Sequence, residues 1–332
     1  MCYKTDKHRA MAVKLSEKME NVPKFITDYY SRFKSETSKS IYWPHLNNLL
    51  QWLYDKKIIS APVNDLVPED LNKVTSIDVI NYLKSLQNGI GCEPNRLSTI
   101  ETKKNSFSAF WSYLVKQKFV DDNIVKDIPA YLFKSEASNY TVKIPTQEQL
   151  DSFIERVEVG NGNEFDCIRN IAIVQLFLGS GIRSEELMGL DISDLHLEDT
   201  PSFITVLGKG KQEHKDKVII SSKAKHYLEE YLIAREQFIN EKSATDEPAV
   251  FLSNQGNRLS KNPITTFFRN YSDGQINPHM LRHWVGTKLY EDTHDIVLVQ
   301  KYLRHKNLET TAAYYVHTSE DDVASAVERL AV

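Results

Sequence analysis

Apolar side chains in the first third of the chain recur at helical intervals. Phe25, Tyr29 and Phe33 are spaced by four. Leu46, Leu49, Leu50, Leu53 and Tyr54 form a second stripe, and Phe107, Phe110, Trp111 and Leu114 a third. Each stripe predicts a helix with one buried face. The aromatic residues in them are read as core, not as platforms for stacking a ligand. Gly89-Ile90-Gly91 marks a loop between helices, and Pro62 and Pro68 punctuate another connection.

From Phe133 to Lys143 the pattern becomes polar and loses its period. Behind it, Thr146 is placed to cap a helix, with Pro145 just outside. These features place a domain boundary here: an N-terminal extension over 1–20, a helical domain over 21–132, a linker over 133–144 and a second domain over 145–332. In the second domain, helical runs are expected near 147–157 and 164–178. Phe203 to Val206 and Val218 to Ile220 read as short strands around a Gly-Lys-Gly-Lys turn, and Ala249 to Leu252 as an extended run. From Thr265 onward the pattern is helical again, with Gly286 tolerated inside one helix. The expected fold class is mainly α with a small antiparallel β-sheet.

Composition narrows the class without changing this outline. The 332 residues are 41% hydrophobic and 26% charged, as in ordinary soluble globular proteins. No apolar run is long enough to predict a membrane span, and the charged N-terminus lacks the apolar segment of a secretory signal. Cys2, Cys92 and Cys167 are scattered. They give neither a disulfide framework nor a zinc pattern, so a cytoplasmic protein without metal or cofactor is expected. The net charge of −4 is unevenly placed. Residues 1–144 hold 21 Lys+Arg against 16 Asp+Glu, a balance of +5, and the remainder carries −9. A weakly basic first half is compatible with phosphate contacts and equally with an ordinary solvated surface.

Four patches carry candidate chemistry. In Gly179-Ser180-Gly181-Ile182-Arg183-Ser184-Glu185-Glu186-Leu187, the glycines permit a sharp turn after an apolar helix. Arg183 then starts the next helix, and Glu186 lies one turn on, on the same face. In Leu207-Gly208-Lys209-Gly210-Lys211, Lys209 sits on an uncrowded hairpin tip, suited to reach a phosphate or to act as a general acid. The spacing is not that of a phosphate-cradling P-loop. In Pro278-His279-Met280-Leu281-Arg282-His283, His279 and Arg282 share a helix face. A zinc pair of His279 and His283 lacks the adjacent Glu and any nearby cysteine, and two structural histidines are the plainer reading. The last patch runs from Gln300 through His305 to Tyr314 and His317, with a break and a new helix start near Asn307, Thr310 and Thr311. Taken one at a time, each patch also reads as ordinary surface or core.

Taken together, the order G-x-R-x-x-E-L, G-K-G in a hairpin, H-x-L-R, then L-x-H-x(8)-Y resembles the tyrosine recombinase, or phage integrase, family across roughly 145–320. The N-terminal half resembles that family's helical core-binding domain, and Phe107 to Val125 its last long helix and exit. The resemblance implies a two-domain, C-shaped clamp on double-stranded DNA carrying specific recombination sites. It implies that Arg183, Lys209, His279, Arg282 and His305 activate a phosphodiester, that Tyr314 is the nucleophile, and that Glu186 supports the first arginine. The phosphodiester would pass through a 3′-phosphotyrosine without metal or ATP. It further implies a homotetramer on two duplexes, joined by an amphipathic C-terminal helix with Val323, Val327 and Leu330 on its apolar side, and leaves a place for accessory proteins. A type IB topoisomerase-like nicking and closing enzyme, or a catalytically silent DNA-binding protein, are the alternatives. Two departures stand out: Arg304 occupies a position where glycine usually precedes the histidine, and Tyr315 adjoins Tyr314.

Overall fold

The computed structural model describes residues 3–133, 144–160, 162–208, 215–242, 248–305 and 311. The chain divides into two compact units, Met1–Asn139 and Tyr140–Val332. The expected turn around Lys209, the linker from residue 134 to 143, and the C-terminal helix beyond residue 319 lie outside the described residues.

The first unit contains α1 (Tyr3–Lys18), α2 (Lys24–Ser31), α3 (Glu36–Asp55), α4 (Ser76–Gln87) and α5 (Leu97–Lys116). Its core includes the three stripes read from the sequence, joined by residues outside them such as Ile26, Trp43, Leu83 and Ile100. Phe25, Tyr29, Leu46, Leu49, Leu50, Leu53, Phe107, Phe110, Trp111 and Leu114 are all buried. The rings interlock edge to face, as their quadrupoles favour: Tyr29 meets Phe110 at 5.2 Å and Phe33 at 5.1 Å. Two expectations need correction. Phe33 lies past the end of α2, because the chain tightens there into i→i−3 bonds from Arg32 to Tyr29 (3.3 Å) and from Phe33 to Tyr30 (3.1 Å). Its ring still joins the cluster. Tyr54 is 37% exposed: it follows Leu53 directly, and one residue of helix turns it off the buried face.

Local chemistry fixes where two of these helices, α3 and α4, begin. The Ser35 hydroxyl accepts the Ser38 N–H at the start of α3. Thr75 and Asp78 form a reciprocal capping box at the start of α4.

The second unit contains α6 (Gln147–Val159), α7 (Glu164–Ser180), α8 (Ser184–Met188), β1 (Leu195–His196), β2 (Phe203–Leu207), β3 (Lys215–Ile219), α9 (Ser222–Lys242), α10 (Lys261–Tyr271), α11 (Pro278–Thr293) and α12 (Ile296–Leu303). Thr146 caps α6 as expected, accepting the Gln149 N–H at 3.2 Å. The described strands form one antiparallel sheet in the order β1-β2-β3, with Ile204 opposite Val218. The two-residue strand β1 had no signal of its own in the sequence. The run from Ala249 to Leu252 makes isolated bridges to Asp191 and Arg258 instead of a strand.

Helix α7 is the centre of this unit. Residues 169–177 are buried on every side, and α6, α9 and α11 pack around it. A helix so enclosed ends where it is told to. Its C-terminal turn therefore holds a fixed place from which the next residues can act. Among the described residues no helix is long and apolar enough to cross a membrane.

Candidate active site

Helix α7 stops at Gly181, which adopts φ 57° and ψ 25°. That left-handed conformation is the usual glycine terminator of a helix. Gly181 has a second constraint. A Cβ there would stand 2.7 Å from Leu303 Cδ2, so the turn after α7 and the end of α12 touch closely only because no side chain intervenes. Arg183 follows two residues later as the N-cap of α8.

Across this contact, α12 ends at Arg304, also left-handed at φ 55° and ψ 46°. A non-glycine residue in that region costs about 1–2 kcal/mol. The carbonyls of the turn grip both site arginines. Arg183 Nη2 donates to the Arg304 carbonyl at 3.1 Å. Arg282, only 2% exposed on α11, donates one Nη to the Leu303 carbonyl and the other to the Gly181 carbonyl. Residues from α7, α8, α11 and α12 thus meet at one turn.

Glu186 is the shared anion. Its Oε1 accepts Arg183 Nη1 at 2.9 Å and its Oε2 accepts both the Arg183 backbone N–H at 3.0 Å and Arg304 Nη2 at 2.6 Å. Burial alone would raise its pKa. The Arg304 charge, the Arg183 N–H and the Arg183 guanidinium outweigh burial and hold the carboxyl below its ordinary range.

The histidines respond in the opposite sense. His305 is pushed down to about 4, first by burial and then by the charges of Arg282 and Arg183. His283 falls to about 4 through burial, His279 and Arg282. His279 is lowered by burial, Arg282 and Arg183. Near neutral pH all three imidazoles are therefore uncharged, and the positive charge of the described site belongs to its guanidinium groups. His279 and His283 meet edge to face at 4.5 Å, and His305 Nδ1 lies 3.0 Å from Thr311 Oγ1.

The structure therefore brings together Arg183, Glu186, His279, Arg282 and His305. Lys209 and Tyr314 lie outside the described residues. Three participants were not named as site residues from the sequence. His283 was read as structural, although its place one residue after Arg282 was a usable signal. Arg304 was noted only as a departure. Thr311 gave no signal beyond a helix start.

The arrangement concentrates guanidinium charge and neutral imidazoles around one turn, as an anionic substrate that gains charge during reaction requires. A sequence profile described as "Phage integrase family" matches residues 144–321. The chain belongs to the phage integrase family, a family of DNA strand-transferring enzymes. It is 31% identical to tyrosine recombinase XerC of Thermodesulfovibrio yellowstonii, over 65% of this chain and 70% of that protein. Tyrosine recombinase XerS of Streptococcus uberis is 27% identical, over 96% and 98% of the two chains. Among solved structures, the XerH site-specific recombinase in a pre-cleavage complex with its difH substrate aligns with a TM-score of 0.66 at 20% identity, covering 97% of this chain and 89% of that one. The Tn1549 transposon integrase in complex with transposon right end DNA gives 0.68 at 17% identity, covering 93% and 98%. These structural likenesses bear on the fold.

Proposed function

We propose that this chain is a site-specific recombinase that cuts and rejoins double-stranded DNA through a 3′-phosphotyrosine at Tyr314. The observation that carries the reading is the convergence of Arg183 and Arg282 on the carbonyls of a single turn, beside His305. A phosphodiester is anionic and resists nucleophiles. Arg183 and Arg282 neutralise its nonbridging oxygens and stabilise the added charge of the transition state. His305 adds a hydrogen bond. The Tyr314 oxygen bonds to phosphorus as the bond to the 5′-oxygen breaks. The phenol proton passes to His279, whose lowered pKa keeps it neutral and able to accept it. Lys209 gives a proton to the departing 5′-oxygen. Attack by a 5′-hydroxyl of a second duplex reverses the step and joins a new strand, so the covalent link conserves the bond energy.

In this reading residues 21–132 are the core-binding domain, preceded by an extension over 1–20, residues 145–332 are the catalytic domain, and residues 133–144 are the linker. The assembly is a homotetramer on two duplexes, held by the C-terminal helix and open to accessory proteins, and it works in the cytoplasm. The decisive experiment traps covalent protein–DNA complexes on genomic DNA and sequences the attached ends, which also yields the recombination site. Wild-type protein is expected to form the adduct and Tyr314→Phe to lose it completely. An adduct that survives in Tyr314→Phe but vanishes in Tyr315→Phe moves the nucleophile by one residue. No adduct from wild type on any DNA overturns the catalytic reading.

A further inference from the structure

Arg304 is held unlike the other arginines of the site. Its backbone is left-handed, a conformation that glycine adopts freely and arginine does not. The side chain is 12% exposed and reaches across 118 residues of sequence to Glu186, which is 2% exposed. Its Nε and Nη1 are buried with no hydrogen-bond partner. Arg282, by contrast, gives its two terminal nitrogens to backbone carbonyls. An arginine kept for packing would have its donors met, because unmet buried donors are costly. Arg304 is fixed instead by one short ion pair.

That ion pair changes the charge of the site. Arg183 and Arg304 share the single carboxylate of Glu186. Without Arg304, Glu186 would neutralise Arg183, and the described guanidinium and carboxylate groups would sum to one positive charge, that of Arg282. With Arg304 they sum to two. A phosphodiester carries one negative charge, and the five-coordinate phosphorus reached during attack carries two. Charge matched to the second state and not the first accelerates reaction instead of merely tightening binding.

We propose that Arg304 is a positioning residue for strand cleavage: by offsetting the charge of Glu186 it lets Arg183, still bonded to that carboxylate, oppose the charge that develops on the scissile phosphate. Its Nη2 is committed to Glu186 at 2.6 Å, so the action proposed for it runs through that carboxylate. The inference rests on the recombinase reading above.

The test uses the full chain and a synthetic nicked duplex carrying the site recovered from the trapped complexes. Single-turnover cleavage is measured at saturating DNA with a natural scissile phosphate and with a methylphosphonate, which lacks the negative charge. Arg304→Gly suits the left-handed turn, and Arg304→Met keeps the stem without the charge. On the natural phosphate both neutral variants are expected to cleave about 10–100-fold more slowly than wild type, with Arg304→Lys recovering most of the loss. On the methylphosphonate the gap is expected to shrink to about 3-fold or less, since there is less charge to oppose.

Wild-type rates for the neutral variants, or an equal slowing on both substrates, would overturn the proposal. Equal slowing is what a purely structural role produces. Should Arg304→Gly fail to fold, Arg304→Met decides by the same comparison. Failure of the recombinase reading is visible separately, because wild type would then form no Tyr314-dependent adduct.

Discussion

The two units bury different kinds of side chain. In the first, the described core is aliphatic and aromatic, and Ser106 is its one buried polar residue. In the second, Arg169, Glu186, Asp194, Arg235, Arg282 and His283 are all buried. Buried charge is expensive unless it is paired, and each of the arginines and acids among them is held by a carbonyl or an opposite charge. Arg169 pairs with Asp166 at 2.6 Å and Arg235 donates to the Ala249 carbonyl at 2.9 Å. The lesson is that packing alone can build a stable helical unit. The second unit spends part of its interior on fixed charges, and backbone carbonyls and opposite charges keep them in place.

The largest effect should come from opening the apolar core. Phe110→Ala is expected to cost about 3–5 kcal/mol, seen as faster hydrogen exchange confined to the first unit. Exchange that rises equally in the second unit would show that the two cores are not separate. Next is Arg282→Ala, which removes a charge and leaves the carbonyls of Gly181 and Leu303 without their donor. Single-turnover cleavage is expected to fall by about 10²–10³. A drop under 10-fold would count against the charge network as the source of activity.

Acid should separate the units more gently. His283 and His305 titrate near 4 when folded, against an ordinary value of 6.5. Between these limits the unfolded chain binds protons that the folded site refuses. Their contribution to stability is complete above pH 6.5 and is lost as pH falls through about 4. Urea midpoints should therefore be lower at pH 5 than at pH 7. His283→Asn should narrow that difference, and an unchanged difference would contradict the assignment. The smallest effect belongs to a cap: Thr146→Ala, which deletes the acceptor for the Gln149 N–H, is expected to cost about 1 kcal/mol in a thermal melt.

The sequence by itself determined much of this. The stripes of the first unit, the cap at Thr146, the helices before and after it, and the paired strands were legible because each depends on neighbours within a few residues. Candidate site residues could be named from their types and order, and of these Arg183, Glu186, His279, Arg282 and His305 lie among the described residues. Their relation could not. Glu186 beside Arg183 was readable at a spacing of three. Arg304 binding that same carboxylate was not, because the contact spans 118 residues. Nor could sequence show that Gly181 is needed to let Leu303 approach, or that the carbonyls of residues 303 and 304 hold Arg282 and Arg183. Short-range periodicity and capping are written in local order. The sharing of one carboxylate between two guanidinium groups exists only after the turn following α7 and the end of α12 have packed together.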